Sequence, residues 1–89
     1  MKYSVEFSDH AAKQIRKLDK YTQSIIYSWL NKHLEGTENP YSSGRALAGE
    51  VRGLWRYRIG DYRLICTIEN AKLIILVLEI GHRSKIYDR

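Results

Sequence analysis

Arg56 and Arg58 lie two residues apart and Arg63 follows closely, so in an extended, folded-back chain all three can point to one side. Farther on come His82, Arg83 and Tyr87. Guanidinium groups with a phenol and an imidazole, and without paired carboxylates, suit phosphodiester chemistry, where charge stabilisation and positioning supply most of the rate. Arginine's planar fork grips a phosphate through two bonds, whereas lysine acts as a point charge. The sequence has no phosphate-cradling glycine loop, no metal-spaced His/Cys cluster and no Gly-x-Ser-x-Gly elbow. Chemistry of this kind calls for neither a metal nor a cofactor.

The stretch that must position these groups is Leu54 to Glu69, which reads as a β-hairpin turning at Gly60-Asp61 between runs rich in aromatic and β-branched residues. A two-residue loop sets Ile59 opposite Tyr62, Arg58 opposite Arg63, Tyr57 opposite Leu64 and Arg56 opposite Ile65. Alternation then gives one face Trp55, Tyr57, Ile59, Tyr62, Leu64, Cys66 and Ile68, an apolar core side. The other carries Leu54, Arg56, Arg58, Arg63, Ile65, Thr67 and Glu69 as a basic platform. Like charges directly opposite cost a few tenths of a kcal/mol to about 1 kcal/mol. A polyanionic ligand would offset that cost.

The remaining elements supply the cover for the apolar face. Tyr3, Val5 and Phe7 alternate with polar residues, predicting a strand over residues 2–7. Ser8 or Asp9 can cap an amphipathic helix from Asp9 to Asp19, in which Ala11, Ile15 and Leu18 recur at helical spacing. Thr22 is the expected cap of a second helix, whose stripe of Ile25, Ile26, Trp29, Leu30, His33 and Leu34 ends near Gly36. The two helices form an antiparallel αα-hairpin. A loop from Glu35 to Gly44 leads through Arg45 to Gly49 into the hairpin. After a turn at Asn70-Ala71, a last strand spans Lys72 to Ile80. Aliphatics on both its parities predict cover on both faces. The expected fold is α+β, in two layers: an N-terminal strand, an αα-hairpin, then a three-stranded antiparallel meander with the helices on one face of the sheet.

Eighty-nine residues make a single domain, residues 1–89, with one core. The net charge is +5, and the excess lies in the half that holds the hairpin: from Arg45 onward nine residues are basic, seven of them arginine, against five acidic ones. That balance favours nucleic acid over a membrane surface as partner. Arg45, Arg52, Lys85 and Arg89 are the further basic residues expected to contact RNA. Cys66 is the single cysteine, which excludes an intramolecular disulfide and fits a small buried thiol. His10 and His33 fall on other elements than His82 and read as ordinary polar histidines, while Trp29 and Trp55 read as core. The N-terminus lacks an apolar signal segment, and Leu73 to Leu78 is too short to span a bilayer, so a cytoplasmic protein is expected.

The ordered set Leu47-Ala48-Gly49, Leu-Trp-Arg-Tyr-Arg-Ile from Leu54, Asp61-Tyr-Arg-Leu, Ile80-Gly81-His82-Arg83 and Ile86-Tyr87 resembles the RelE branch of the RelE/ParE toxins of toxin-antitoxin pairs. The resemblance covers the whole chain. It implies a ribosome-dependent mRNA endonuclease that cleaves in the A site and inhibits translation. It also implies a small acidic antitoxin that wraps the toxin into a hetero-oligomer, with DNA contact through the antitoxin. By position, Arg56 and Arg58 match the basic sites of the second strand, Arg63 that of the third, and Arg83 and Tyr87 the C-terminal pair. Some members carry lysines on the second strand, proposed to deprotonate the ribose 2′-hydroxyl. Arginine is a poor base. Here the arginines would orient and stabilise, or else His82 or Tyr87 would move the proton; imidazole ordinarily exchanges protons near neutral pH. The alternatives are a ParE-like inhibitor of DNA gyrase and a non-catalytic RNA- or ribosome-binding module.

Overall fold

A computed structural model of the chain describes residues 1–47 and 53–85. Ala48 and Gly49, Arg52, and Ile86, Tyr87 and Arg89 of the candidate set lie outside the described residues.

The order of elements is β1 (Ser4–Phe7), α1 (Asp9–Arg16), α2 (Lys20–His33), a single 3-10 turn (Pro40–Ser42), β2 (Arg45–Ala46), β3 (Trp55–Ile59), β4 (Tyr62–Glu69) and β5 (Ile74–His82). The strands form one sheet in the order β1-β5-β4-β3-β2, antiparallel except for the parallel pair β1 and β5. Both helices pack on one face, α1 over β5 and β1 and α2 against β3. This is the expected α+β two-layer fold with one added strand, β2. Arg45 and Ala46 are too short a pair to carry a periodicity, and they become a strand only because β3 offers Arg56 and Trp55 as partners.

The β3-β4 register is the expected one, with Trp55 also opposite Cys66. Gly60 has a φ of +58° and Asp61 does not have a positive φ, the pattern of a type II′ turn whose twist suits a hairpin. On the helix side Tyr57, Ile59, Leu64 and Cys66 join Ile75, Val77 and Ile80 of β5, Ala11 and Ile15 of α1, and Ile26, Leu30 and Leu34 of α2 in one core. Trp29, Trp55 and Tyr62 pack at its margin. Burial pushes the Cys66 thiol far up from its ordinary pKa, so the group is an inert part of that core.

β5 lies between β1 and β4, but its two faces are not covered alike: Ile75 and Val77 are buried on the helix side, while Ile74 and Leu76 on the other are half-buried. Ile65 pairs with Glu79 but Cys66 with Val77, so Leu78 is an extra residue on β5, a β-bulge. The bulge carries the core parity from Ile75 and Val77 over to Ile80, and it places Glu79 and Gly81 on the opposite face. Side chains of the first helix catch the backbone groups this frees. Gln14 Oε1 accepts from the Ile80 amide at 2.6 Å, and Ser8 Oγ donates to the Leu78 carbonyl at 3.2 Å.

Several local boundaries also differ from expectation. Asp19, not Thr22, caps α2: its carboxylate accepts from the Thr22 hydroxyl at 2.6 Å and the Thr22 amide at 3.1 Å. Those two bonds, the hydroxyl first, hold the Asp19 carboxyl below the usual carboxylate range. Its contribution is therefore complete above the ordinary carboxylate pKa and fades as pH falls through the lowered one. The first helix ends at Arg16 because the segment through Asp19 is needed for the turn and the cap. On α2, Ile25 and His33 prove exposed, since β3 covers only the stripe of Ile26, Leu30 and Leu34. The β4-β5 turn runs over residues 70–73, with Leu73 at a φ of +57°, so β5 starts at Ile74 rather than at Lys72.

The chain from Gly36 to Gly44 straps the sheet beyond α2. The Tyr57 hydroxyl donates to the Pro40 carbonyl at 2.6 Å, and the Trp55 indole donates to the Ser43 carbonyl at 2.8 Å. Gly44, at a φ of +82°, is pressed so closely on β3 that an added Cβ would stand 2.5 Å from the Arg56 carbonyl oxygen. Gly36 has a similar φ, +80°, with nothing within 4 Å of the same position. Gly36→Ala is therefore expected to cost about 1 kcal/mol, the left-handed conformation alone, and Gly44→Ala distinctly more. Urea denaturation of the two variants measures the difference; equal midpoints would mean that the strap is not held against β3.

Candidate nucleic-acid interface

The register of three strands assembles the arginines. Arg58 is opposite Arg63 and Arg63 is opposite Gly81, one row; Arg45, Arg56, Ile65 and Glu79 form the next row on the same face. Paired residues point the same way and rows two residues apart share a face, so Arg45, Arg56, Arg58 and Arg63 all stand on the side away from the helices. Arg83 follows just past the end of β5, where its amide donates to the Asp61 carbonyl at 2.7 Å and its Nε lies 3.8 Å from Asp61 Oδ1. The β3-β4 turn thus anchors Arg83 at the end of the sheet where Arg58 and Arg63 lie.

This face is not the open platform that alternation suggests. Arg56 is 7% exposed and Arg63 5%, whereas Arg58 and Arg45 are exposed. Leu47, Leu54 and Ile65 form a second, small apolar cluster on the same side. The Leu47 amide donates to the Leu54 carbonyl at 3.0 Å, which continues the β2-β3 pairing by one more bond. Leu47 and Leu54 flank the arginine motifs without periodicity, and only the pairing of β2 with β3 reveals that they meet. Burial leaves the side chains of Arg56 and Arg63 little freedom to sweep the solvent. Buried and exposed cations thus share this face.

His82 is not brought to this cluster. It pairs with Tyr62, on the register row that faces the helices, and the two rings meet edge to face with centroids 5.5 Å apart. Its Nδ1 lies 3.2 Å from the Ser84 amide nitrogen, an N–H donor, and 2.9 Å from Ser84 Oγ. The amide makes Nδ1 an acceptor, so the neutral ring carries its proton on Nε2. Lys85 is exposed in the turn after β5. Among the described residues no group of three or more His, Cys, Asp or Glu side chains is placed to hold a metal ion, and no helix is long and apolar enough to cross a membrane.

A groove of about 190 Å³ opens at the outer edge of β3, lined by Trp29, Ser43, Gly44, Arg45, Arg56 and Arg58. A second of about 240 Å³, lined by Tyr41, Ala46, Gly53, Leu54, Trp55 and Ile68, is largely apolar.

Residues 5–87 match the family described as the ParE toxin of the type II toxin-antitoxin system parDE. The chain belongs to the RelE/ParE toxins. It is similar over its whole length to the toxin RelG of Mycobacterium tuberculosis, 28% identical over 89 residues that cover 100% of both chains. To the toxin RelE of the same organism it is 26% identical, covering 96% of this chain and 86% of the relative. In three dimensions it resembles the toxin-antitoxin complex RelBE2 of M. tuberculosis with a TM-score of 0.83, 25% identity and coverage of 96% of this chain and 95% of that one. The isolated Escherichia coli RelE toxin shares the fold, with a TM-score of 0.67 at 21% identity and coverage of 90% and 83%.

The like-charged pair Arg58 and Arg63 makes a testable demand on this RelE/ParE toxin. Arg58→Thr is expected to raise stability by roughly 0.2–1 kcal/mol, in the absence of nucleic acid, and the gain should shrink as added salt screens the repulsion. Thermal melts at low and high salt measure both effects. A loss of stability at low salt would show that Arg58 is held by favourable contacts that outweigh its repulsion of Arg63.

Proposed function

We propose that this toxin cleaves mRNA on the ribosome. The observation that carries the reading is the convergence of Arg56, Arg58 and Arg63 on one sheet face, with Arg83 anchored at the end of that face beside Arg58 and Arg63. The ribose 2′-oxygen attacks the adjacent phosphorus, the bond from phosphorus to the 5′-oxygen breaks, and the products are a 2′,3′-cyclic phosphate and a 5′-hydroxyl. Arg58 and Arg63 grip the non-bridging oxygens as negative charge grows on them, and Arg83 approaches from the end of the sheet. Arginine does not take the 2′-proton. With His82 turned to the helix side, Tyr87, which matches the C-terminal tyrosine of the family by resemblance alone, is the candidate left to relay that proton toward the departing 5′-oxygen. Release of the chain from Asp61 frees Arg83 for the substrate, since an exposed ion pair at that distance holds it by no more than about 1 kcal/mol.

The solved structures that share this fold include toxin-antitoxin complexes, and a small acidic antitoxin is the partner this reading gives the chain. The second reading is inhibition of DNA gyrase, which the ParE description of the matching family favours.

Two outcomes are expected. If three or four arginines contact phosphates, the slope of log affinity for single-stranded RNA against log salt is about −2 to −3; a slope near zero would remove the phosphate contacts. Arg83→Ala, which deletes an exposed side chain at little cost to the fold, lowers cleavage on programmed ribosomes by about 10²- to 10³-fold and reduces ribosome binding far less. Equal losses in both would make the chain a binder, and gyrase inhibition with intact mRNA would select the second reading.

A further inference from the structure

The groove at the edge of β3 shares Arg56 and Arg58 with the arginine face and adds Trp29, Ser43, Gly44 and Arg45, a lining with the composition of a nucleotide site. Trp29 reaches it from α2, and the indole is braced on its own side by His33, with ring centroids 4.7 Å apart, and by Tyr57, at 5.8 Å. A ring supported in this way loses little further freedom when a base stacks on it. Three arginines share the lining with the indole, Arg45 from β2 and Arg56 and Arg58 from β3. β2 pairs with β3 only as far as Arg56, so the edge of β3 at Arg58 is left uncovered and the groove stays open. Gly44 forms its lip and has no room for a side chain, since Cβ there would lie 2.5 Å from both the Arg56 carbonyl oxygen and the Trp55 indole nitrogen. Arg58 belongs to the groove and also faces Arg63 across the hairpin. The groove therefore begins where the arginine row ends.

We propose that this groove is a subsite for one RNA nucleotide adjacent to the scissile phosphate, with the base against Trp29 and the neighbouring phosphate between Arg45 and Arg58. The inference rests on the RNA-cleaving reading of the arginine face. It adds that the enzyme engages its substrate on both sides of Arg58, and that the identity of the base in the groove influences where it cuts.

The probe is a trinucleotide with hydrogen in place of each 2′-hydroxyl, which binds but offers no nucleophile, added to the full chain while the two indole N–H signals are followed by NMR. The Trp29 signal is expected to shift on binding. Trp29→Leu is expected to weaken binding by about tenfold, and Arg45→Gln to reduce the salt slope by about 0.7. On programmed ribosomes both variants raise KM and change the preferred cleavage context. Should Trp29→Leu melt below the assay temperature, Trp29→Phe keeps the packing and is read for its context preference, and Arg45→Gln alters only an exposed side chain.

A silent Trp29 signal, or variants with wild-type KM and context, would overturn the subsite while leaving cleavage itself intact. Wild-type protein that shifts Trp29 with the trinucleotide but cleaves nothing would overturn the nuclease reading and keep the groove as a nucleotide site. An equal Trp29 shift with an oligoglutamate peptide of matched charge would show attraction to any polyanion and overturn the subsite.

Discussion

Core and candidate site depend on one pairing, that of β3 with β4. With Arg58 opposite Arg63, Tyr57 and Leu64 fall on the helix side and become fully buried. A slip of one residue would send every one of these side chains to the other face, exposing the core and burying the arginines beneath α1 and α2. Gly60 and Asp61 set the register through the turn, and the Tyr57 hydroxyl locks it by reaching the Pro40 carbonyl on the strap. Burial also pushes the Tyr57 phenol well above its ordinary pKa, so it stays a neutral donor in that bond. The bulge at Leu78 completes the arrangement by turning Gly81 toward Arg63 and Ile80 toward the core.

The arginine face is where the chain departs from what stability alone would select. Two guanidinium residues are more than nine-tenths buried and a third stands directly opposite one of them. Replacing buried charges by apolar residues of like volume often leaves a protein as stable or more so. The small cluster of Leu47, Leu54 and Ile65 shows that apolar residues do pack on this side. Burial restricts how far the side chains of Arg56 and Arg63 can move. Exposed Arg45, Arg58 and Arg83 surround them and can adapt.

Much of this was legible in the chain because the decisive signals are local. The Gly60-Asp61 turn with aromatic and β-branched flanks revealed the hairpin and, through it, which arginines share a face. The stripe of Ile25, Ile26, Trp29, Leu30, His33 and Leu34 revealed the face of α2 that meets the sheet, though too widely, since Ile25 and His33 are exposed. What escaped was non-local. The bulge at Leu78 moves the core position from Val77 to Ile80, and the groups that bond to the backbone there, Gln14 and Ser8, lie more than sixty residues away in the chain. β2 exists only as a partner of β3. The burial of Arg56 and Arg63 depends on where Leu47 and Leu54 come to rest, and charged residues in a strand read as solvated until such neighbours are known. Thr22 was the expected cap of the second helix, but Asp19, read as the end of the first, takes both the amide and the hydroxyl of Thr22 on its carboxylate.

The most direct measurement places a single 2′-O-methyl group on the nucleotide at the cleaved position of an mRNA bound to programmed ribosomes, and maps the products with the purified toxin. If the arginine face stabilises attack by the 2′-oxygen, cleavage at that position disappears, cleavage of the unmodified transcript leaves a 2′,3′-cyclic phosphate, and the modified transcript still competes for the toxin. Cutting that persists at the methylated position, or unmodified mRNA that stays whole while translation or DNA supercoiling stops, would contradict the account.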